Sequence, residues 1–94
     1  MDYRISRQID RYRARISRFV ETHLLPLEGN PANYDTHENI RFDLAEELRA
    51  KARAEGLWCL QLRSENGGQG LGRVGMAVCY EAMNRSIFGP VVFN

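Results

Sequence analysis

The feature that most limits what this chain can fold into lies at its beginning, where two stripes of opposite character follow one helical path. Ile5, Ile9, Tyr12, Ile16 and Phe19 recur at spacings of 4, 3, 4 and 3, which at about 100° per residue places them on one face. Arg4, Arg7, Arg11, Arg15 and Arg18 recur at 3, 4, 4 and 3 and form a second stripe well away from the first. Such a helix must lay its apolar face on other elements and keep its arginines in water or on a partner. The spacing predicts a helix from Tyr3 to about His23. Pro26 is expected to close it, because the residue before a proline is pushed out of the α region.

Residues 26–38 collect Pro, Gly, Asn and Asp and read as a loop. A second helix is expected from about Ile40 to Glu55, with Ile40, Leu44, Leu48 and Ala52 as its apolar edge and Ala45 beside them. Glu47 and Lys51 form an i,i+4 pair in the favourable orientation. Gly56 stands where the helix needs a residue with positive φ after its last turn. Leu57 to Leu62 is too short to assign from pattern, and four of the six residues from Gly67 to Gly72 are glycine, which marks a sharp turn or a close backbone approach. A third helix, about Arg73 to Arg85, is apolar nearly all round, as a buried central helix would be. Glu81 and Arg85 are one turn apart on it and read as a local ion pair. The fold class is all-α: a partial bundle of about three helices with a Gly-rich loop before the central one.

The 94 residues carry 13 Lys+Arg against 12 Asp+Glu, a net charge of +1. That balance argues against a nucleic-acid partner. Hydrophobic residues make up 44% and charged residues 27%, a composition that suits one soluble domain. No apolar run approaches the roughly 20 residues of a membrane span. Cys59 and Cys79 have no CxxC partner or histidine at zinc spacing, so neither a disulfide framework nor a metal site is expected and a reducing, cytoplasmic setting is. Asp2 and Asp10 argue against a transit peptide. The sequon Asn84-Arg85-Ser86 has no secretory context.

Candidate chemical groups are few. Gly70-Leu71-Gly72-Arg73-Val74-Gly75 satisfies G-x-G-x-x-G, but the strand, second strand and ribose-binding acid that a dinucleotide site needs are missing around it. His23 and His37 stand alone, and Ser64 and Ser86 lack a nucleophile-elbow setting. Cys79 reads as core. Glu81 is the acid expected in apolar surroundings, where a structural pairing with Arg85 outweighs a general-base role. The closing stretch Ile87 to Asn94 is apolar to its end, whereas termini are usually polar; the expectation is a domain that continues beyond it.

Leu48-Arg49-Ala50-Lys51-Ala52 running into Glu55-Gly56-Leu57-Trp58, then Gly67-Gly68-Gln69-Gly70-Leu71, then Glu81-Ala82-Met83-Asn84-Arg85-Ser86, together resemble the N-terminal domain of the acyl-CoA dehydrogenase family. Phe88-Gly89-Pro90-Val91-Val92-Phe93-Asn94 looks like its long-chain, bacterial and peroxisome-type branches. The similarity runs from about Ile9 to the end. It implies a flavoenzyme context: FAD as hydride acceptor, an acyl-CoA thioester as substrate, and a carboxylate that takes the α-proton. In the family the flavin and the catalytic Glu belong mainly to later domains. The resemblance therefore implies no catalytic or cofactor-binding residue in this chain, and no FAD held by it alone.

The resemblance implies structural roles for Gly67, Gly68 and Gly70, which stand beside the structural pair Glu81 and Arg85, and the edge of an acyl pocket at Val91, Val92, Phe93 and Asn94. It also implies further domains or subunits as partners, an oligomeric enzyme, and a mitochondrial or peroxisomal site in a eukaryote. The family usually has Pro four residues before the first glycine; this chain has Arg63. The expected function is the N-terminal part of an acyl-CoA dehydrogenase-like oxidoreductase, residues 1–94, that supports catalysis without performing it. The alternative is a non-enzymatic helical interaction module, or a decayed gene product, docking through its apolar tail and third helix.

Overall fold

The computed structural model describes residues 3–58 and 72–93, with the side chains of the first helix from Ser6 onward. Gly67, Gly68, Gly70, Cys59 and Asn94 lie outside these residues. The architecture is all-α. Helix α1 spans Tyr3–Phe19, α2 Phe42–Ala54, α3 Gly72–Met83 and the short α4 Gly89–Val92.

The apolar stripe of α1 does what its spacing predicts. Ile9, Ile16 and Phe19 are buried, and Tyr12 packs against the core from its edge. The arginines face water: Arg7, Arg11, Arg15 and Arg18 are exposed. Arg15 also reaches across to donate to the Glu55 carbonyl, and its guanidinium lies 5.6 Å from the Tyr12 ring centroid.

Pro26 does not end the helical path as expected. Leu25 keeps α-region angles, φ −56° and ψ −41°. The chain instead widens into a π turn over Val20–Leu24, closed by Leu25 N–H donating to the Val20 carbonyl, and then tightens into a 3₁₀ turn at Leu25–Leu27 with Pro26 in its first turn. A proline in a first turn forfeits no hydrogen bond, since that N–H has no intrahelical partner anyway. The core holds the distortion in place, for Val20 and Leu24 are fully buried.

Helix α2 buries Ala45, Leu48 and Ala52, and Lys51 meets Glu47 at 3.8 Å. Its end follows a full Schellman pattern: Gly56 N–H donates to Arg53 O and Leu57 N–H to Ala52 O, with Gly56 at φ 73°. Leu57 and Ala52 are both fully buried, the apolar contact that accompanies this cap.

Helix α1 packs along α3, and α2 packs against α4. Ile16, Phe19, Leu48, Cys79, Met83 and Phe93 meet in one core, each large apolar side chain contributing about 1.5–3 kcal/mol by leaving water. The Phe19 and Phe93 rings meet edge to face, 5.3 Å between centroids. Helix α3 departs from its all-round apolar pattern. It buries Gly75, Met76, Cys79, Ala82 and Met83 but leaves Ala77 exposed, with Val74 60% and Tyr80 37% accessible.

Candidate functional site

The loop between the 3₁₀ turn and α2 is built by side chains acting as backbone surrogates. Asn30 accepts from Ala32 N–H at 3.0 Å and caps a 3₁₀ turn over Pro31–Asn33. Asp35 Oδ1 accepts from His37 N–H at 2.8 Å and Asn39 N–H at 3.0 Å. These two backbone donors, Asn39 first, hold the Asp35 carboxyl below its ordinary range, since hydrogen bonds to the ionised form favour it. Glu38 adopts φ 63° to close the turn, and Tyr34 and Ile40 form an antiparallel bridge across it.

A carboxylate ties this loop to the far end of the chain. Glu28 Oε1 accepts from Ser86 Oγ at 3.0 Å and Ile87 N–H at 2.9 Å, and Ser86 Oγ in turn accepts from Phe88 N–H at 3.1 Å. Tyr34 donates to Glu28 O at 2.7 Å while its ring lies 5.5 Å from that of Phe88. Gly89 can approach only because it lacks a side chain: a Cβ there would stand 2.0 Å from Met83 O. Arg49 completes the junction by donating to Val91 O at 2.8 Å and Glu46 at 2.7 Å.

This junction frames a groove of about 440 Å³ between the Asp35 turn, the first half of α2 and α4. Its floor and walls include Tyr34, Ile40, Phe42, Ala45, Ile87 and Val91, and its rim carries Asp35 and Glu38. Phe42 is 78% and Ile87 67% accessible. A recess of about 540 Å³ adjoins it beside Glu28, Pro31 and Tyr34, with Asp35 and Glu38 again on its edge. A third cleft, about 300 Å³, lies between α1 and α3 and is lined by Arg13, Ser17, Val78, Glu81, Ala82 and Arg85.

The residues singled out from sequence are placed as follows. Val92 and Phe93 are fully buried in the core, and Val91 beside them lines the groove. Glu81 is exposed, not enclosed by apolar side chains. The ion pair expected between Glu81 and Arg85 is replaced by Arg85 with Glu21 at 3.0 Å. The reason is geometric: α3 ends at Met83, so Arg85 has left the helical path that would hold it over Glu81 and turns toward the π segment after α1. His23 packs tilted against Phe19, centroids 4.7 Å apart, and exposed His37 belongs to the Asp35 turn. Burial pushes the Cys79 thiol up from its ordinary value, the reverse of what a nucleophile needs. Among the described residues no three His, Cys, Asp or Glu side chains are grouped to hold a metal. The Glu28–Ser86 junction carried no sequence signal, because it joins residues about 60 positions apart.

Trp58 closes the described part of the Gly56 cap. The Arg53 guanidinium sits 4.5 Å from its ring centroid, and its buried indole Nε1 has no hydrogen-bond partner among the described residues.

The acidic rim of the groove and recess is poorly suited to a flavin dinucleotide. Its pyrophosphate needs converging cationic or N–H donors, whereas the groove and recess present the Asp35 and Glu38 carboxylates. No step of a flavin reaction is assigned to them.

The described residues thus define a class: a small helical layer whose second helix ends in a Schellman cap and whose apolar C-terminal turn folds back beneath it. The model for the acyl-CoA dehydrogenase N-terminal domain matches residues 6–93, and the chain belongs to the acyl-CoA dehydrogenase family. It is 34% identical over 86 residues to acyl-CoA dehydrogenase family member 11 of Rattus norvegicus and 31% identical over 86 residues to that of Mus musculus. Each match covers 85% of this chain and 11% of the relative, so the chain spans about a tenth of their length. No solved structure matches it.

Proposed function

We propose that residues 1–94 form the N-terminal helical part of an FAD-dependent oxidoreductase that desaturates acyl-CoA thioesters between their α and β carbons. In this reading the chain supports the reaction and does not perform it alone. The observation that carries the reading is the family match over residues 6–93. The burial of the motif residues agrees with it: Ala52, Leu57, Met83, Phe88, Val92 and Phe93 all serve the core, as a scaffold layer requires.

FAD and the acyl-CoA are held in the main by other parts of such an enzyme, with Val92, Phe93 and Asn94 leading from this layer toward the acyl pocket. Gly67, Gly68, Gly70, Glu81 and Arg85 are given structural roles. Oligomeric assembly and a cytoplasmic setting, mitochondrial or peroxisomal in a eukaryote, belong to the same proposal. Among the described residues no helix is long and apolar enough to cross a membrane.

The test is to mix the purified chain with FAD and follow flavin absorbance through gel filtration. Flavin eluting apart from the chain is expected; stoichiometric co-elution contradicts this division of labour. The genomic sequence after Asn94 offers a second check. A reading frame continuing into β-rich and then helical sequence supports the enzyme. A stop codon favours the alternative, a helical interaction module, to which the exposed Val74, Tyr80, Phe42 and Ile87 side chains lend some support.

A further inference from the structure

The near-zero net charge of the chain conceals a strong separation. Residues 3–19 hold six arginines against one aspartate, a net +5, while residues 28–47 hold six carboxylates against one arginine, a net −5. Part of each set is neutralised locally: Asp10 meets Arg13 at 3.6 Å, Asp43 meets Arg41 at 3.6 Å and Glu46 meets Arg49 at 2.7 Å. What remains is specific. Arg11 and Arg18 are exposed without an ion-pair partner among the described residues, and lie two turns apart on one face of α1, about 10 Å along its axis. On the acidic side Asp35 and Glu38 form the rim of the groove, and the Glu38 carboxylate likewise has no partner among the described residues.

The groove between these carboxylates is not merely acidic. Its mouth exposes Phe42 and Ile87, at 78% and 67% accessibility, beside Val91. An apolar floor with an acidic rim matches the anatomy of arginine. The aliphatic stem covers apolar surface, the planar guanidinium stacks on an aromatic ring, and its fork pairs with a carboxylate. A lysine-bearing or purely apolar partner would satisfy only part of this surface.

We propose that the Arg11–Arg18 face of α1 in one copy of this chain docks in the groove bounded by Asp35, Glu38, Phe42 and Ile87 of a second copy. In a two-fold pair the contact is made twice, because each molecule offers both halves. This pairing stands on charge and exposure, and holds whether or not the chain serves a flavoenzyme.

The test is sedimentation equilibrium of the whole chain with reciprocal charge reversals, circular dichroism confirming that each variant keeps its helices. The wild type is expected to dimerise, and added salt to weaken the dimer. Arg11→Glu/Arg18→Glu alone and Glu38→Arg alone should each raise the dimer dissociation constant roughly a hundredfold, as the loss and reversal of close interfacial charge pairs implies. An equimolar mixture of the two variants should restore association. In the mixed pair one contact is wild type and the other sets the two introduced glutamates against the introduced arginine. A wild type that stays monomeric, variants that dimerise unchanged, or a mixture that fails to associate would each overturn the proposal. So would phosphatidylserine vesicles that bind the wild type and Glu38→Arg equally while the chain remains monomeric, which would assign the α1 face to an anionic membrane surface.

Discussion

Two junctions hold this helical layer together, and they are built on opposite principles. The α1–α3 seam is apolar at its centre and distributed: Ile16 and Phe19 share one core with Cys79, Ala82 and Met83. The junction of the Asp35 loop with α4 is polar and concentrated. One carboxylate, Glu28, receives both Ser86 Oγ and Ile87 N–H, and one missing Cβ, at Gly89, sets how closely the chain can pass Met83. A dispersed seam can redistribute a small change over many contacts. A junction that turns on single atoms cannot, so equal changes in size should have unequal effects on the two.

Phe19→Ala should have the largest effect, a loss of about 3–5 kcal/mol in chemical denaturation, because it removes a ring that touches both regions through Phe93 and His23. Gly89→Ala comes next, although it adds only a methyl group. Overpacking against a backbone oxygen is expected to cost about 1–3 kcal/mol or more. A smaller loss than that of Ile16→Val would dissolve the contrast between the junctions. Glu28→Ala should cost about 1–3 kcal/mol by leaving Ser86 Oγ without its acceptor. Glu28→Gln, which keeps one acceptor oxygen, should lose less. Hydrogen exchange at Ile87 and Phe88 would show whether the damage stays local. Ile16→Val in the seam should cost only about 0.5–1.5 kcal/mol, less than Phe19→Ala, Gly89→Ala or Glu28→Ala.

Acid should also act on one side only. The Asp35 carboxyl titrates below its ordinary 3.8 because backbone donors hold the ionised form. Its contribution is therefore fully present above 3.8 and is lost as pH falls through the lowered folded value. Amide signals of His37 and Asn39 followed by NMR should respond to that titration while those of the α1–α3 seam stay unmoved. Simultaneous loss at both would mean that the junctions are not separable.

The seam was legible in the sequence and the junction was not. Periodicity alone located Ile9, Ile16 and Phe19, and Leu48, Ala52 and Gly56, because a helix face and a C-terminal cap are local properties. Local rules failed where a distant contact competed. Leu25 stays in the α region before Pro26 because burial of Val20 and Leu24 sustains the π turn. Arg85 leaves Glu81 for Glu21 because α3 stops at Met83. The groove joins residues 34–49 to residues 87–91, a separation that no spacing rule reaches. On α3 the apolar pattern of Val74, Ala77 and Tyr80 records a capacity for contact that α1 uses on one side only.

Trp58 has a practical consequence for anyone who studies this layer in solution. It is the single tryptophan of the chain, it lies beneath the Arg53 guanidinium, and its indole N–H is sheltered, with no acceptor among the described residues. Indole emission shifts with nearby charge and with hydrogen bonding of that N–H, so the molecule carries its own optical gauge at the end of α2. Any segment or partner that alters the bonding of that N–H, or draws Arg53 aside, would change the colour and yield of that one fluorophore without a label being added.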